Sequence, residues 1–143
     1  MSLLSPRKIK HRKQQKGRRR GLGVATSKIT VSYGGYGLRS LESKWVTSRQ
    51  IESARVAISK VIAKTKGSRM FIRIFPDKPV TNHGNESVMG SGKGGLDHYV
   101  VPVKPGMILF EIEGVDESSA KLAFLRASHK LPIETKFATK EII

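Results

Sequence analysis

Apolar and polar residues begin to alternate at Lys28. Ile29, Val31 and Tyr33 interleave with Lys28, Thr30 and Ser32, the two-residue period of a half-buried strand. Gly34-Gly35 predicts a turn, and Tyr36-Gly37-Leu38 begins a second extended segment. The period then becomes helical. Ile51, Ala54, Ile58, Val61 and Ile62 fall on one face, with Arg49, Ser53, Lys60 and Lys64 opposite. Thr47-Ser48-Arg49-Gln50 predicts a capping box at the helix start, because a hydroxyl three residues before Gln lets each side chain satisfy an exposed amide. Gly67 is a natural stop. A helix of this kind packs its apolar face on a sheet and leaves the basic face to phosphates.

Residues 70–75 form a short apolar run containing Arg73 and predict a strand. Residues 100–103 and 108–112 predict two more, and Lys104-Pro105-Gly106 between them has the chemistry of a hairpin turn. Glu111 and Glu113 lie two apart on the second of these, where solvation or balance by nearby lysines is expected. Asp116 predicts the N-cap of a second helix, with Ala120, Ala123, Phe124, Ala127 and Leu131 as its buried stripe and Pro132 as its end. Ile133, Thr135 and Phe137 alternate as a last strand. Strands mixed with two helices and joined by tight turns predict an α+β fold rather than a parallel sheet. There is no internal repeat.

The stretch 76–98 departs from this order. Pro76-Asp77-Lys78-Pro79 leads to Met89-Gly90-Ser91-Gly92-Lys93-Gly94-Gly95 without periodicity, and so long a loop inside a domain predicts a functional role. Its glycines let backbone amides approach a phosphate closely, with Lys93 as a point charge. A nucleotide-binding P-loop is disfavoured, since Gly94 follows Lys93 where Ser or Thr is required and Ser87 stands at the first glycine position.

Charge divides the chain in two. Lys and Arg number 27 against 11 acids, a formal charge of +16 over 143 residues. Arg7, Lys8, Lys10, Arg12, Lys13, Lys16, Arg18, Arg19 and Arg20 crowd one segment with His11, and no acid precedes Glu42. Ile9 is the one large apolar residue there, so the segment cannot bury enough to fold alone. This predicts a basic arm over residues 1–27, disordered when free and ordered along phosphates, and a single domain over 28–143. Nucleic acid is the indicated partner ahead of a membrane surface. No apolar run reaches the roughly 18 residues of a membrane span. An arginine-rich start resembles a transit peptide, but Pro6, Gly17, Gly21 and Gly23 make a poor amphipathic helix, which favours a functional arm.

Candidate chemistry is sparse. Cysteine is absent, which removes disulfides, thiolate metal sites and a cysteine nucleophile. His11, His83, His98 and His129 lack metal-ligand spacing, and His129 suits a helix C-terminus. Trp45, Tyr33, Tyr36 and Tyr99 are expected in the core rather than stacked on bases. No active site, metal or cofactor is expected.

An ordered set of motifs carries a resemblance. Leu4-Ser5-Pro6-Arg7-Lys8 with Arg12-Lys13 is followed by Lys16-Gly17-Arg18, Arg20-Gly21, Tyr33-Gly34 and Tyr36-Gly37-Leu38. Then come Thr47-Ser48-Arg49-Gln50-Ile51-Glu52 and Ala54-Arg55. The most specific are Ile72-Arg73-Ile74-Phe75-Pro76-Asp77-Lys78-Pro79 and Met89-Gly90-Ser91-Gly92-Lys93-Gly94. Pro105-Gly106, Leu109-Phe110-Glu111, Lys130-Leu131-Pro132-Ile133 and Thr135-Lys136-Phe137 complete it. Together they resemble the bacterial-type large-subunit ribosomal protein sixteen family, found in bacteria and organelles, over nearly the whole chain.

The resemblance implies an α/β-hammerhead-like antiparallel sheet packed with two helices, with the arm extended on rRNA. It implies a structural protein of the large subunit, on a bacterial or organellar ribosome, that binds rRNA near the A-site tRNA and peptidyl-transferase centre and supports subunit assembly. Expected partners are large-subunit rRNA, A-site tRNA and neighbouring ribosomal proteins, with no membrane and no stable homo-oligomer. The implied rRNA contacts are the arm residues with Arg49 and Arg55, and residue type adds Arg39, Lys44, Lys60 and Arg73. Lys78, Met89, Gly90, Ser91, Gly92, Lys93 and Gly94 would lie nearest tRNA. Two departures stand out. Val88 replaces the family's common Arg, and Asp97-His98-Tyr99-Val100-Val101-Pro102 replaces a Glu-Tyr-Trp-Val type strand, where Pro102 implies an edge or a bend. A DNA-binding chromatin-like protein is the second reading, and a nucleotide-using enzyme the third.

Overall fold

The structure, a computed structural model, describes residues 4–17 and 23–140. Arg18, Arg19 and Arg20 lie outside the described residues. The elements are β1 (Tyr36–Ser40), β2 (Lys44–Thr47), α1 (Ser48–Ile62), β3 (Arg69–Ile72), β4 (Lys78–Asn82), β5 (Gly95–Val103), β6 (Ile108–Glu113), α2 (Glu117–Ser128) and β7 (Thr135–Thr139). The capping box forms as the sequence predicts: Gln50 N–H donates to Thr47 Oγ1 at 3.3 Å, and Thr47 N–H donates to Gln50 Oε1 at 2.9 Å. Asp116 caps α2 through Ser119 N–H at 3.0 Å. Hydrogen bonds from the Ser118 hydroxyl and from Ser119 hold its carboxyl below the ordinary value. Helix α2 ends at Ser128, ahead of Pro132, with His129 as its C-cap.

Two antiparallel sheets form, in the orders β3-β6-β1-β7 and β2-β5-β4. Helices α1 and α2 pack on each other, and Ile51, Ala54, Ile58, Ala123, Phe124 and Ala127 join Leu38, Val46, Val101, Leu109, Phe110 and Ile112 in one hydrophobic cluster. Burying these side chains contributes roughly 1.5–3 kcal/mol for each large aliphatic or aromatic one. Among the described residues no helix is long and apolar enough to cross a membrane.

Three expectations change. Lys104-Pro105-Gly106 makes its turn, with Met107 N–H on the Lys104 carbonyl at 3.2 Å, but β5 and β6 belong to different sheets and are not a hairpin. Gly106 and Met107 instead bond Ser40, which carries the chain from one sheet to the other. The segment 76–98 is not one loop: β4 pairs with β5 from Lys78↔Val100 to Asn82↔Gly95, leaving residues 76–77 and 83–94 outside the two strands. Prolines, charges and glycines interrupt the alternation of these strands and mask them in the sequence. Pro102 sits on the central strand β5 rather than on an edge strand, but β4 pairing stops at Val100, so Pro102 is paired on one side only, opposite Trp45.

The third concerns residues 28–34, which are not a strand. Ser32, Tyr33 and Gly34 aim successive N–H groups at the Glu111 carboxylate, at 3.1, 2.6 and 2.9 Å to Oε2. Arg73 Nη1 donates to Glu111 Oε1 from the other side. Glu111, expected to be solvated, is fully buried. Burial pushes its pKa up, but hydrogen bonds from Gly34, Tyr33, Arg73 and Ser32 outweigh that and hold it below the ordinary value. Val31 is buried while Ile29 and Tyr33 point outward, so only part of the alternation reaches the core.

Candidate nucleic-acid interface

The β4–β5 hairpin projects a polar tip. Gly90, Ser91 and Gly92 all have positive φ, at 107°, 61° and 96°, a conformation that glycine adopts without strain. Gly94 is required for a different reason: a Cβ there would lie 2.3 Å from the Asn82 carbonyl oxygen across the hairpin. Val88 and Met89 are 82% and 94% exposed. Gly94 and Gly95 lead into a strand rather than a helix, so the run lacks the strand–loop–helix context of a P-loop.

The arm meets this hairpin. Lys13 Nζ donates to the Lys93 carbonyl at 2.7 Å, and Lys78 Nζ donates to the Gln15 carbonyl at 3.2 Å. Leu4 rests against the hydrophobic cluster. Residues 4–17 are therefore held to the domain by one apolar anchor and two lysine–carbonyl bonds, contacts that arm composition alone does not reveal. Between arm and hairpin lies a cleft of about 180 Å³ lined by Gln14, Lys16, Trp45, Lys78, Val80 and Lys93, among others. Among the described residues no carboxylate lines it. Lys78 Nζ stands 5.4 Å from the Trp45 ring centroid, which places an aromatic among the cations.

Other candidate contacts divide by partner. Arg7, Lys8, Lys10, His11, Arg12, Lys13 and Lys16 are exposed along the arm, and Arg49 and Lys60 are exposed on α1. Arg39 donates to the Ile29 carbonyl at 3.2 Å and Lys44 to the Pro132 carbonyl at 3.0 Å, so each is steered by backbone and keeps its charge unpaired by those bonds. Arg55 forks onto Glu52 at 2.7 and 2.9 Å, and this hydrogen bonding holds the Glu52 carboxyl below its ordinary value. Arg73 is drawn inward to Glu111 and lies 4.9 Å from the Tyr33 ring centroid. Its surroundings give it a structural role that its position in the sequence did not suggest. Tyr33, expected in the core, is 61% exposed and stacks on Phe71 with centroids 5.6 Å apart. Gln14, Gln15 and Trp45 enter the site only through the fold, because no local spacing links them to Lys78 or Lys93.

Comparison with known proteins gives a consistent result. Residues 6–138 match the family model described as Ribosomal protein L16p/L10e. A curated relative, the large ribosomal subunit protein uL16 of Sulfurihydrogenibium sp. (strain YO3AOP1), is 56% identical over 136 residues, covering 95% of this chain and 96% of the relative.

Proposed function

Because the chain belongs to the ribosomal protein L16p/L10e family, in its bacterial type, and so is a structural constituent of the large ribosomal subunit, we propose that it holds rRNA beside the A-site tRNA and peptidyl-transferase centre. The arm (residues 1–27) lies along rRNA phosphates, the domain (28–143) docks by Arg39, Lys44, Arg49 and Lys60, and the tip around Met89 to Lys93 approaches tRNA. The protein positions RNA during assembly and translation and leaves the chemistry to it.

The observation that carries this reading is the joining of arm and hairpin around a cleft with several lysines and, among the described residues, no carboxylate. Such a surface lacks an internal counter-ion and takes its anion from outside, as phosphate-tracking surfaces do. A photoreactive amino acid replacing Met89 tests the finer placement in purified ribosomes. Crosslinks to tRNA that appear on A-site filling are expected. Crosslinks indifferent to A-site filling would remove the tRNA-proximal role. In a native lysate the chain should sediment with the large subunit and detach only at high salt.

A further inference from the structure

A second basic groove lies on the outer side of the helix pair. Ser53, Val56, Ala57 and Lys60 form one stripe along α1 at helical spacing, and Arg126, His129 and Lys130 face it from the end of α2. The groove encloses about 340 Å³ and, like the cleft, has no carboxylate among the described residues of its lining. It shares no residue with the arm–hairpin cleft. Glu52, next to Ser53, turns to Arg55 at 2.7 Å, so this helix carboxylate is engaged with a cation outside the groove. Ser53 Oγ donates back to the Arg49 carbonyl at 3.0 Å, so its hydroxyl proton is spent within the helix, and the small Ser53 and Ala57 side chains leave a shallow floor between the cations.

Cations at helix C-termini have an ordinary explanation, since they complement the negative end of the helix dipole. Lys60 and Arg126 each fit it alone. It does not explain why the last turns of both helices bring their cations to one groove with a small-residue floor and no acid. A single backbone phosphate there would meet cations from two elements at once.

We propose that the α1–α2 groove is a second phosphodiester site, which takes the backbone of an rRNA segment different from the one held by arm and cleft. The inference rests on the rRNA-binding reading above. The protein then joins two RNA segments, one through the arm and hairpin and one through the helix pair. Arg126 and Lys130 become RNA contacts alongside Lys60.

The test uses the full chain and a large-subunit rRNA transcript, with backbone protection from hydroxyl radicals and affinity measured across salt. Three proteins are compared: the parent, the groove variant Lys60→Gln/Arg126→Gln/Lys130→Gln, and the arm variant Lys8→Gln/Lys10→Gln/Arg12→Gln/Lys13→Gln. The groove variant should lose one set of protections and the arm variant another. Three lost phosphate contacts should also remove roughly 20–40-fold of the affinity change between 50 and 200 mM salt. If the groove variant keeps every protection and the parental slope while the arm variant loses its own, the groove is not an RNA site and rRNA binding stands. The groove is equally ruled out if its variant only lowers the melting temperature, the signature of a dipole role. If the parent itself protects nothing, rRNA binding fails and the groove site falls with it.

Discussion

The Glu111 pocket and the arm–hairpin cleft are assembled from similar parts and end in opposite states. Each gathers backbone polar groups and long cations from segments far apart in the chain. At Glu111, three N–H groups and the Arg73 guanidinium close on a carboxylate that the protein supplies itself. In the cleft, Lys16, Lys78 and Lys93 line the same space as Trp45, with no carboxylate among the described lining residues. Arg73 therefore serves the fold and the cleft lysines remain for a ligand. A cationic residue in this chain is informative about function only once its internal anion has been looked for.

The strongest way to break this contrast is Glu111→Gln. An amide cannot accept from every donor around it and leaves Arg73 without its counter-charge, so about 3–5 kcal/mol of stability should be lost in denaturant titration. RNA affinity of the folded protein should keep its salt dependence. A loss under about 1 kcal/mol would mean that the pocket is no more closed than the cleft.

Acid gives the same contrast by titration. The folded Glu111 pKa lies below its ordinary value of 4.5, so its contribution is fully present above that value and is lost as pH falls through the lower folded pKa. The parent should weaken over that acid window more than the Gln variant, in urea midpoints followed against pH.

Gly94→Ala should cost about 1–3 kcal/mol, because the new methyl meets the Asn82 carbonyl across the hairpin. The cost should also appear as weaker amide-exchange protection in β4, which a uniform destabilisation would not produce. The smallest stability effect belongs to Lys78→Gln, within about 0.5 kcal/mol. Its mark should be on binding instead, a salt slope reduced by about one. A large stability loss there would show that the lysine–carbonyl bond to Gln15 is structural and would bring the cleft closer to the Glu111 pocket in kind.

Much of the local structure was legible. The start of α1, its capping box and its buried stripe follow from residues three and four apart, and the same holds for the Asp116 cap, whereas α1 ends at Ile62 with Ala63 as C-cap, ahead of the expected stop at Gly67. The acid-free run of cations was legible, but the contacts that hold residues 4–17 to the hairpin and the core were not. The strand expected at residues 28–33 was not, because its amides found a side-chain carboxylate in place of a neighbouring strand. The β4 strand was hidden by Lys78-Pro79 at its start and the glycine-rich segment after it.

What the sequence determined by itself depends on near neighbours: periodicity, capping, turn formation at Gly106 and the density of charge. It also carried enough ordered motif to indicate the family. Tertiary structure alone decided which sheet each strand joins, which carboxylate Arg73 meets and which lysines face the cleft. The physical reason is separation along the chain. Glu111 meets Arg73 across 38 positions and Ser32 across 79, and Lys13 meets Lys93 across 80. No local pattern encodes such meetings, which arise only when burial of the shared core brings the segments together.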